Sequence, residues 1–468
     1  MGKPAPVLIR GARLLLGDGG VVEVGLVLLV DGGIARVGAG GGEAPEGATV
    51  VEAKGKVVTP GLIDTHSHMG VYPSPRGRAH LDGNEMTNPV TPGVRTVDAI
   101  WVQDPDFERA AAGGVTTVQV LPGSGNLIGG RAVTIKLRPG VTASRQMHVV
   151  DAPDGLKMAC GENPKRVYGE RKQTPSTRMG NLALQRAAFH DARRLIAEWD
   201  QWRDKERQRL EDDAKARADY ERKVAQRSVE AADCEAKRRS GCAALRAQWQ
   251  KEPLEPPKPS TENLPPKRDL HLETLAGALE GRILVHVHCY RSDDMANMLA
   301  LADEVGLTIR SFHHALEAYK IRDDLAARSV AVSTWADWWG FKLEAYDGIR
   351  ENLALVSQAG GRAVVHSDSA EGVRRLNQEA AKGMWAGRHA GIEVSDGEAT
   401  RWITLNPAWA LGIDGRTGSL AVGKDADVVV WDRDPFSVYA KAERVYVDGH
   451  LRVQPAAAPT WSDFEAAP

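Results

Sequence analysis

From Gly61 onward the chain alternates short apolar runs with helix-like stretches, and this alternation restricts the fold more than any other feature. The runs GVTTVQVLP, GLKMAC, RILVHVHCY, GLTIRSFHH, SVAVSTW and GRAVVHSDS are separated by stretches such as DDMANMLALADEVG and IRENLALVSQAG. Strands alternating with helices imply βα units and a parallel sheet. With VVTPGLIDTH in front of them, these runs predict an α/β fold of the (β/α)8 TIM-like barrel type rather than an open sheet. A dinucleotide-binding sheet is the alternative, but no G-x-G-x-x-G follows the first strand.

The two ends have a different texture. VLIRGARLLL, VGLVLLVDGGIARVG and TVVEAKGKVVTP are β-branched runs broken by Gly, Asp-Gly and Pro, and the same pattern returns in GSLAVGKDADVVVWDRDPF and AERVYVDGHLRV. Asp31-Gly32 and Asp448-Gly449 are hairpin signals, because these residues tolerate the positive φ of a tight turn. Residues 1–60 and 416–468 are therefore expected to pair into one small β domain around a barrel at 61–415. The barrel is interrupted at 190–268, where 19 basic and 16 acidic side chains fall in 79 residues, against 26 % charged overall. This solvated insert is helical to about Trp249 and returns through the Pro-rich PLEPPKPSTENLPPK. Leu195, Trp199, Trp202 and Leu210 give its helix one apolar stripe, read as packing on its own domain in preference to a coiled-coil docking arm.

Composition excludes several classes. Lys plus Arg (60) nearly balances Asp plus Glu (62), so no global basic field for nucleic acid exists. No run approaches the roughly 18–20 apolar residues of a membrane helix. The start, MGKPAPVLIRGARLLLGDGG, lacks the uninterrupted apolar core of a signal peptide, which reads as cytoplasmic; a mature form of an exported chain is the periplasmic alternative. Cys160, Cys234, Cys242 and Cys289 share no CxxC spacing, which argues against a disulfide framework or a cysteine zinc knuckle.

The histidines carry the chemistry. Side chains two apart on a strand face the same side, so His66 and His68 in PGLIDTHSH both point into the barrel at the carboxyl end of a strand, where such folds keep their active sites. His286 and His288 repeat the spacing; His288, nearer the strand end, is the better ligand, with His286 a core or supporting histidine. His313 and His314 are adjacent, so only one is expected to enter. Asp368, two after His366, can ligate a metal and accept a proton from water. Imidazoles with a carboxylate suit one or two divalent transition metals, zinc above all, with Mn²⁺, Co²⁺ or Fe²⁺ as alternatives and Ca²⁺ or Mg²⁺ disfavoured. Other features are weaker. SGNLIGG lacks the G-K-[ST] of a phosphate loop and reads as a tight barrel loop. Trp335, Trp338 and Trp339, with Lys342 and Glu344 beyond, can wall a pocket, and Tyr290 and Arg291 can steady a carbonyl or a substrate carboxylate.

PGLIDTHSH, the later strand histidines, Asp368 and GSLAVGKDADVVVWDRDPF together resemble the metal-dependent amidohydrolase superfamily. VLPGSGNLIGG, GLKMACGENPKRVYG, TRMGN, HCYRSDDM, FHHALEAYK and WADWWGFKLEAYDGIRENLAL narrow the resemblance to bacterial amidohydrolases related to imidazolonepropionases and prolidases. The resemblance implies a barrel flanked by a β-sandwich from both termini. It matches His66 and His68 to the strand-one metal ligands, His288 and His314 to those of strands five and six, and Asp368 to the strand-eight aspartate and general base. A carboxylated lysine or a glutamate bridges two metals in such enzymes; Glu162 is the preferred candidate here and Lys157 the other. The expected reaction is hydrolysis of a C–N bond in a small amide, peptide or cyclic amide, with homo-oligomerisation left open. A deaminase or cyclic amidine hydrolase on the same site, and a catalytically inactive scaffold, are the rivals.

Overall fold

Eight strands make an inner sheet: β1 (Leu62–Ser67), β2 (Val115–Val120), β3 (Ile128–Lys136), β4 (Gly155–Ala159), β5 (Leu284–Cys289), β6 (Ile309–His314), β7 (Ala331–Thr334) and β8 (Arg362–Val365). They pair in sequence order from β1 to β8 in this computed structural model, which describes residues 4–138 and 140–454. Every residue of β1, β2 and β4 is buried, as expected for strands covered on both faces. The edge strands β1 and β8 meet without a ladder between them. Ile63 N–H donates to Ile403 O (3.0 Å) and Val365 N–H to Trp402 O (2.9 Å), while beyond the strand ends Asp368 N–H reaches His66 O (2.9 Å). The sheet is a near-barrel.

One strand departs from the parallel sheet predicted above. β3 is antiparallel to both β2 and β4, while the remaining ladders are parallel. Only residues 121–127 lie between β2 and β3. That loop is too short for a crossover helix and returns the chain as a hairpin.

The two ends of the chain form a second sheet of eight strands. Val57–Pro60 pairs antiparallel with Val428–Trp431 and so joins the first end to the last. Asp31 (φ 53°) with Gly32 (φ 85°), and Asp448 (φ 48°) with Gly449 (φ 76°), make the two tight hairpins. The β-sandwich implied by the resemblance is here one hydrogen-bonded sheet curled on a core that includes Ile9, Leu14, Val27, Val58, Val428 and Tyr446. Residues 1–3 and 455–468, the outermost parts of the two end segments, lie outside the described residues.

The chain divides into two compact units, residues 1–190 with 270–468, and residues 191–269. In the smaller unit the helix that began at Arg178 runs on to Ala236, stabilised by one-turn ion pairs such as Arg203–Asp200, Arg207–Asp204 and Arg222–Asp219. The Pro-rich segment lies against it: Trp202 Nε1–H donates to Asn263 O (2.8 Å) and Asn263 Nδ2–H to Trp202 O (3.1 Å).

The reading against disulfides is corrected. Cys160 and Cys289 are bonded, as are Cys234 and Cys242. Pairing depends on closeness in space: Cys160 follows β4 and Cys289 ends β5, neighbouring parallel strands that bring their Cα atoms to 5.3 Å across 129 residues of sequence. Among the described residues no helix is long and apolar enough to cross a membrane.

Candidate metal centre

Asp64 sets the seam of the barrel. Its buried carboxylate accepts the amides of His66 (3.0 Å) and Ser367 (3.1 Å) and also the Ser367 hydroxyl. Burial pushes its pKa up to about 7 against the pull of these hydrogen bonds. With Asp368 N–H on His66 O, this fixes the end of β1 against the segment after β8. Asp368 takes φ 48°, a left-handed conformation uncommon for a non-glycine residue, and its Oδ1 lies 3.2 Å from His68 Nε2 and 3.6 Å from His66 Nε2. Burial opposes its charge, but the His68 hydrogen bond and the nearby cationic groups outweigh it and hold its pKa below the usual carboxylate range. His68 Nδ1 is bonded to Leu121 O (2.8 Å), which orients the ring with Nε2 toward Asp368.

At the end of β6 both adjacent histidines enter the barrel, contrary to the strict alternation expected. His314 has φ 70° and Ala315 φ 37°, so the strand breaks at this point and the period of two ends with it. His313 is buried against His66 and His286, and His314 against Tyr290 and Trp335, with ring centroids 4.9 and 4.7 Å away. Neither ring nitrogen of His314 has a hydrogen-bond partner among the described residues. His366 Nε2 accepts the His314 amide (3.1 Å), and its Nδ1 is also unpartnered. His288 stands one residue before the end of β5, with its ring 4.5 Å from that of His314 and its Nδ1 unpartnered.

Two donor groups emerge, each within 4.8 Å and sharing His66: His66, His68 and Asp368, and His66, His314 and His366. Burial lowers the pKa of His66, His288 and His314 well below the ordinary value, and that of His366 to about 3, so these rings are neutral and able to ligate. Neutral imidazoles, a carboxylate and several buried nitrogens without partners fit a divalent transition metal. The residue pattern alone assigns no role to His366 or His313. Its one signal for His366 is the two-residue spacing to Asp368.

The remaining candidates separate. Lys157 is fully buried, with Nζ 3.3 Å from His66 Nε2 and 3.0 Å from Pro122 O, and burial lowers its pKa to about 8. Glu162 instead lies 3.8 Å from Lys342 Nζ, and its amide donates to Glu344 Oε2 (2.9 Å). Lys342 Nζ sits 4.0 Å above the Tyr290 ring and 3.1 Å from Glu344 Oε1. Trp338 is half exposed and stacks on Trp335 at 5.5 Å, so an aromatic wall runs from His314 outward. Arg291 is engaged by Asp293 at the surface. A cavity of about 440 Å³ opens beside His68 and Asp368 and is lined also by Tyr72, Arg76, Arg78 and Asp106.

Known proteins share this frame. The amidohydrolase family model Amidohydro_3 matches residues 244–453. Amidohydrolase tasK of Hapsidospora irregularis is 33 % identical over 442 residues, 92 % of this chain but 39 % of that protein, so the chain spans about two fifths of this relative's length. Dihydroorotase of Geobacter sulfurreducens is 34 % identical over 128 residues, 27 % of this chain and 24 % of the enzyme. A prolidase solved with N-methylphosphonate-L-proline shares the fold at TM-score 0.53 and 16 % identity, over 96 % of this chain and 100 % of that one. The crystal structure of an amidohydrolase from Thermotoga maritima aligns at TM-score 0.75 and 32 % identity, over 96 % of this chain and 100 % of that one. Likeness at that level along a complete solved amidohydrolase means that this chain belongs to the metal-dependent amidohydrolase superfamily.

Proposed function

We propose that the chain hydrolyses a C–N bond in a small amide, peptide or cyclic amide, with Asp368 as general base. The observation that carries this reading is the Asp368 carboxylate, held 3.2 Å from His68 and 3.6 Å from His66 beside an open cavity. His66, His68, His288, His314 and Asp368 are the proposed metal ligands, with His366 added by its place in the donor group. Bound there, one or two transition-metal ions, zinc by donor chemistry, would lower the pKa of water and polarise a carbonyl. Asp368 then takes the proton of the attacking water and passes it to the leaving nitrogen. Its lowered pKa keeps it charged and ready to accept.

Lys157, once carboxylated, is a better candidate than Glu162 for a ligand bridging two ions. Its adjacency to His66 supports this, whereas Glu162 is engaged by Lys342. Tyr290, Trp338 and Lys342 are proposed to form the substrate wall, which leaves Arg291 the weakest candidate because Asp293 already holds it. The test is a screen of zinc-loaded protein against dipeptide, N-acyl amino acid and cyclic amide libraries, with Asp368→Asn as the blank. Turnover by the wild type and a loss of at least about 100-fold in the variant is the expected result. Equal turnover by the two removes Asp368 as the base.

A further inference from the structure

The loop that follows β1 is fastened at its base and reaches outward at its tip. The Gly70 and Ser74 amides donate to the two oxygens of the Asp104 carboxylate (2.7 and 3.2 Å), and the Ser74 hydroxyl donates to Asp106 Oδ2 (2.7 Å). Asp82 N–H closes the loop on Val71 O (3.0 Å), and His80 stacks on Trp101 with ring centroids 4.9 Å apart. Between these anchors the loop carries Arg76 and Arg78 to the wall of the cavity of about 440 Å³ that Asp368 also lines.

The charges around that cavity are not all answered. Asp106 is paired with Arg109 Nη1 (3.0 Å) and holds the Ser74 hydroxyl, while Asp368 faces His66 and His68. Arg76 and Arg78 make no hydrogen bond and no ion pair among the described residues. Glu371, whose charge is felt by Arg76, is held instead by the Ser369 hydroxyl (3.1 Å). Water satisfies a single guanidinium on an open surface. Two that line one concave wall direct a positive potential into it. Met69 and Leu81 give the same cavity an apolar lining, the usual company of a few orienting polar groups in a small-molecule site. A second cavity of about 400 Å³ shares His68 and Tyr72 with the first; it is lined by one arginine, Arg166, and not by Asp368.

We propose that Arg76 and Arg78 form an anion subsite, and that the substrate is an amide bearing an oxyanion, a carboxylate or a phosphate, on the part that enters this cavity. The planar fork of a guanidinium matches either group. Met69 and Leu81 cover the carbon skeleton between that group and the scissile bond. The subsite deepens the reading of Asp368 as the base of a C–N hydrolase and rests on it. It also selects among substrates: dipeptides and N-acyl amino acids carry the charge, and an unsubstituted cyclic amide does not. The carboxylate contact expected of Arg291 passes to this loop, because Asp293 already holds Arg291.

Binding is read first, on the full chain as purified and labelled with ¹⁵N-arginine, so that no turnover is needed. The probes are N-acetyl-L-leucine, N-acetyl-O-phosphoethanolamine and N-isopentylacetamide, the neutral counterpart of the first. The Nε–H signals of Arg76 and Arg78 are assigned by their loss in Arg76→Met and Arg78→Met. Both are expected to shift saturably with at least one anionic amide and to stay in place with the neutral one; the anion that acts identifies the group. No saturable shift with either anion, or an equal shift with the neutral amide, overturns the subsite. Turnover is read next, on each compound the library screen yields, paired with its counterpart lacking the anionic group. Arg76→Met and Arg78→Met should each cut the preference for the charged member about 10- to 100-fold, chiefly through KM. Arg166→Met should keep the wild-type preference. A preference unchanged in both loop variants, or lost only in Arg166→Met, also overturns the subsite. A wild type that turns over nothing counts against the hydrolase reading, while the arginine signals still decide the subsite.

Discussion

Asp64 and Ser367 clamp the first and last strands of the barrel together at the level of the histidines. The Ser367 amide lies 3.1 Å from Asp64 Oδ1, and its hydroxyl is bonded to the other carboxylate oxygen. The same Oδ1 takes the amide of His66, so one buried side chain holds a proposed ligand and the barrel seam.

Removing that carboxylate leaves two buried amides without an acceptor and the Ser367 hydroxyl with only its longer bond to His66 O (3.3 Å). Asp64→Ala is expected to cost about 3 kcal/mol of stability, measured by urea unfolding of metal-free protein. The pH dependence follows from the raised pKa. Unfolded Asp titrates near about 3.9, whereas Asp64 in the fold titrates at about 7. The contribution tied to this group is therefore complete below about pH 4 and is lost as pH rises through about 7. Relative to Asp64→Asn, which does not titrate, the wild type should lose ground across that window. A difference that is flat with pH contradicts the assignment.

Lys136 makes the second prediction. It is fully buried at the end of β3, with Asp425, Asp427 and Asp448 around its ammonium group. Burial lowers its pKa, and the three carboxylates more than restore it. Lys136→Met leaves Asp427 without its cation, while Asp448 keeps Arg138 and Asp425 keeps Arg416, and should cost about 3–5 kcal/mol. The variant should also recover stability on acidification, because Asp427 then gains a proton on folding. A urea midpoint within error of wild type rules out this role for the lysine.

Lys157 offers a test of the bridging ligand. Its pKa of about 8 means that the amine becomes neutral near neutral pH, far below ordinary lysine. Addition of CO₂ to that neutral amine gives a carbamate and a proton. Reconstitution with ¹³C-bicarbonate and zinc should give a carbamate resonance that is stronger at about pH 8.5 than at about pH 6.5 and absent in Lys157→Gln. A resonance that persists in the variant places the carbamate elsewhere.

The two disulfides should differ in weight. Cys160–Cys289 spans 129 residues and Cys234–Cys242 only 8. The loop-entropy relation then gives about 5 and about 2.5 kcal/mol as upper bounds. Thermal unfolding of the paired serine variants should show the larger fall for Cys160 and Cys289. Equal falls point to an enthalpic origin.

Local patterns carried much of this molecule into view. The Asp-Gly hairpins, the alternation of strands and helices, and the two-residue spacing of His66 and His68 all depend on neighbours in sequence. What escaped depends on neighbours in space or on a break in the period. His314 joins His313 inside the barrel because it leaves the extended region, and nothing in FHH announces a positive φ. Cys160 finds Cys289 because β4 and β5 are adjacent. Lys157 stands by His66 across an interior that no linear spacing describes. The reversal of β3 is set by the short run between two apolar segments, which composition does not register.

That reversal gives the two ends of the barrel separate occupations. Because β3 runs backward, its carboxyl end carries Lys136 away from the histidines and into the acidic cluster of the terminal sheet, while the loop at its amino end, with Ser124 and Gly125, lines a second cavity together with His68 and Tyr72. Fastening and the proposed chemistry are thus kept at opposite ends of the strands. Loops on the histidine side can be exchanged to reach a new substrate without loosening the joint that holds the terminal sheet in place.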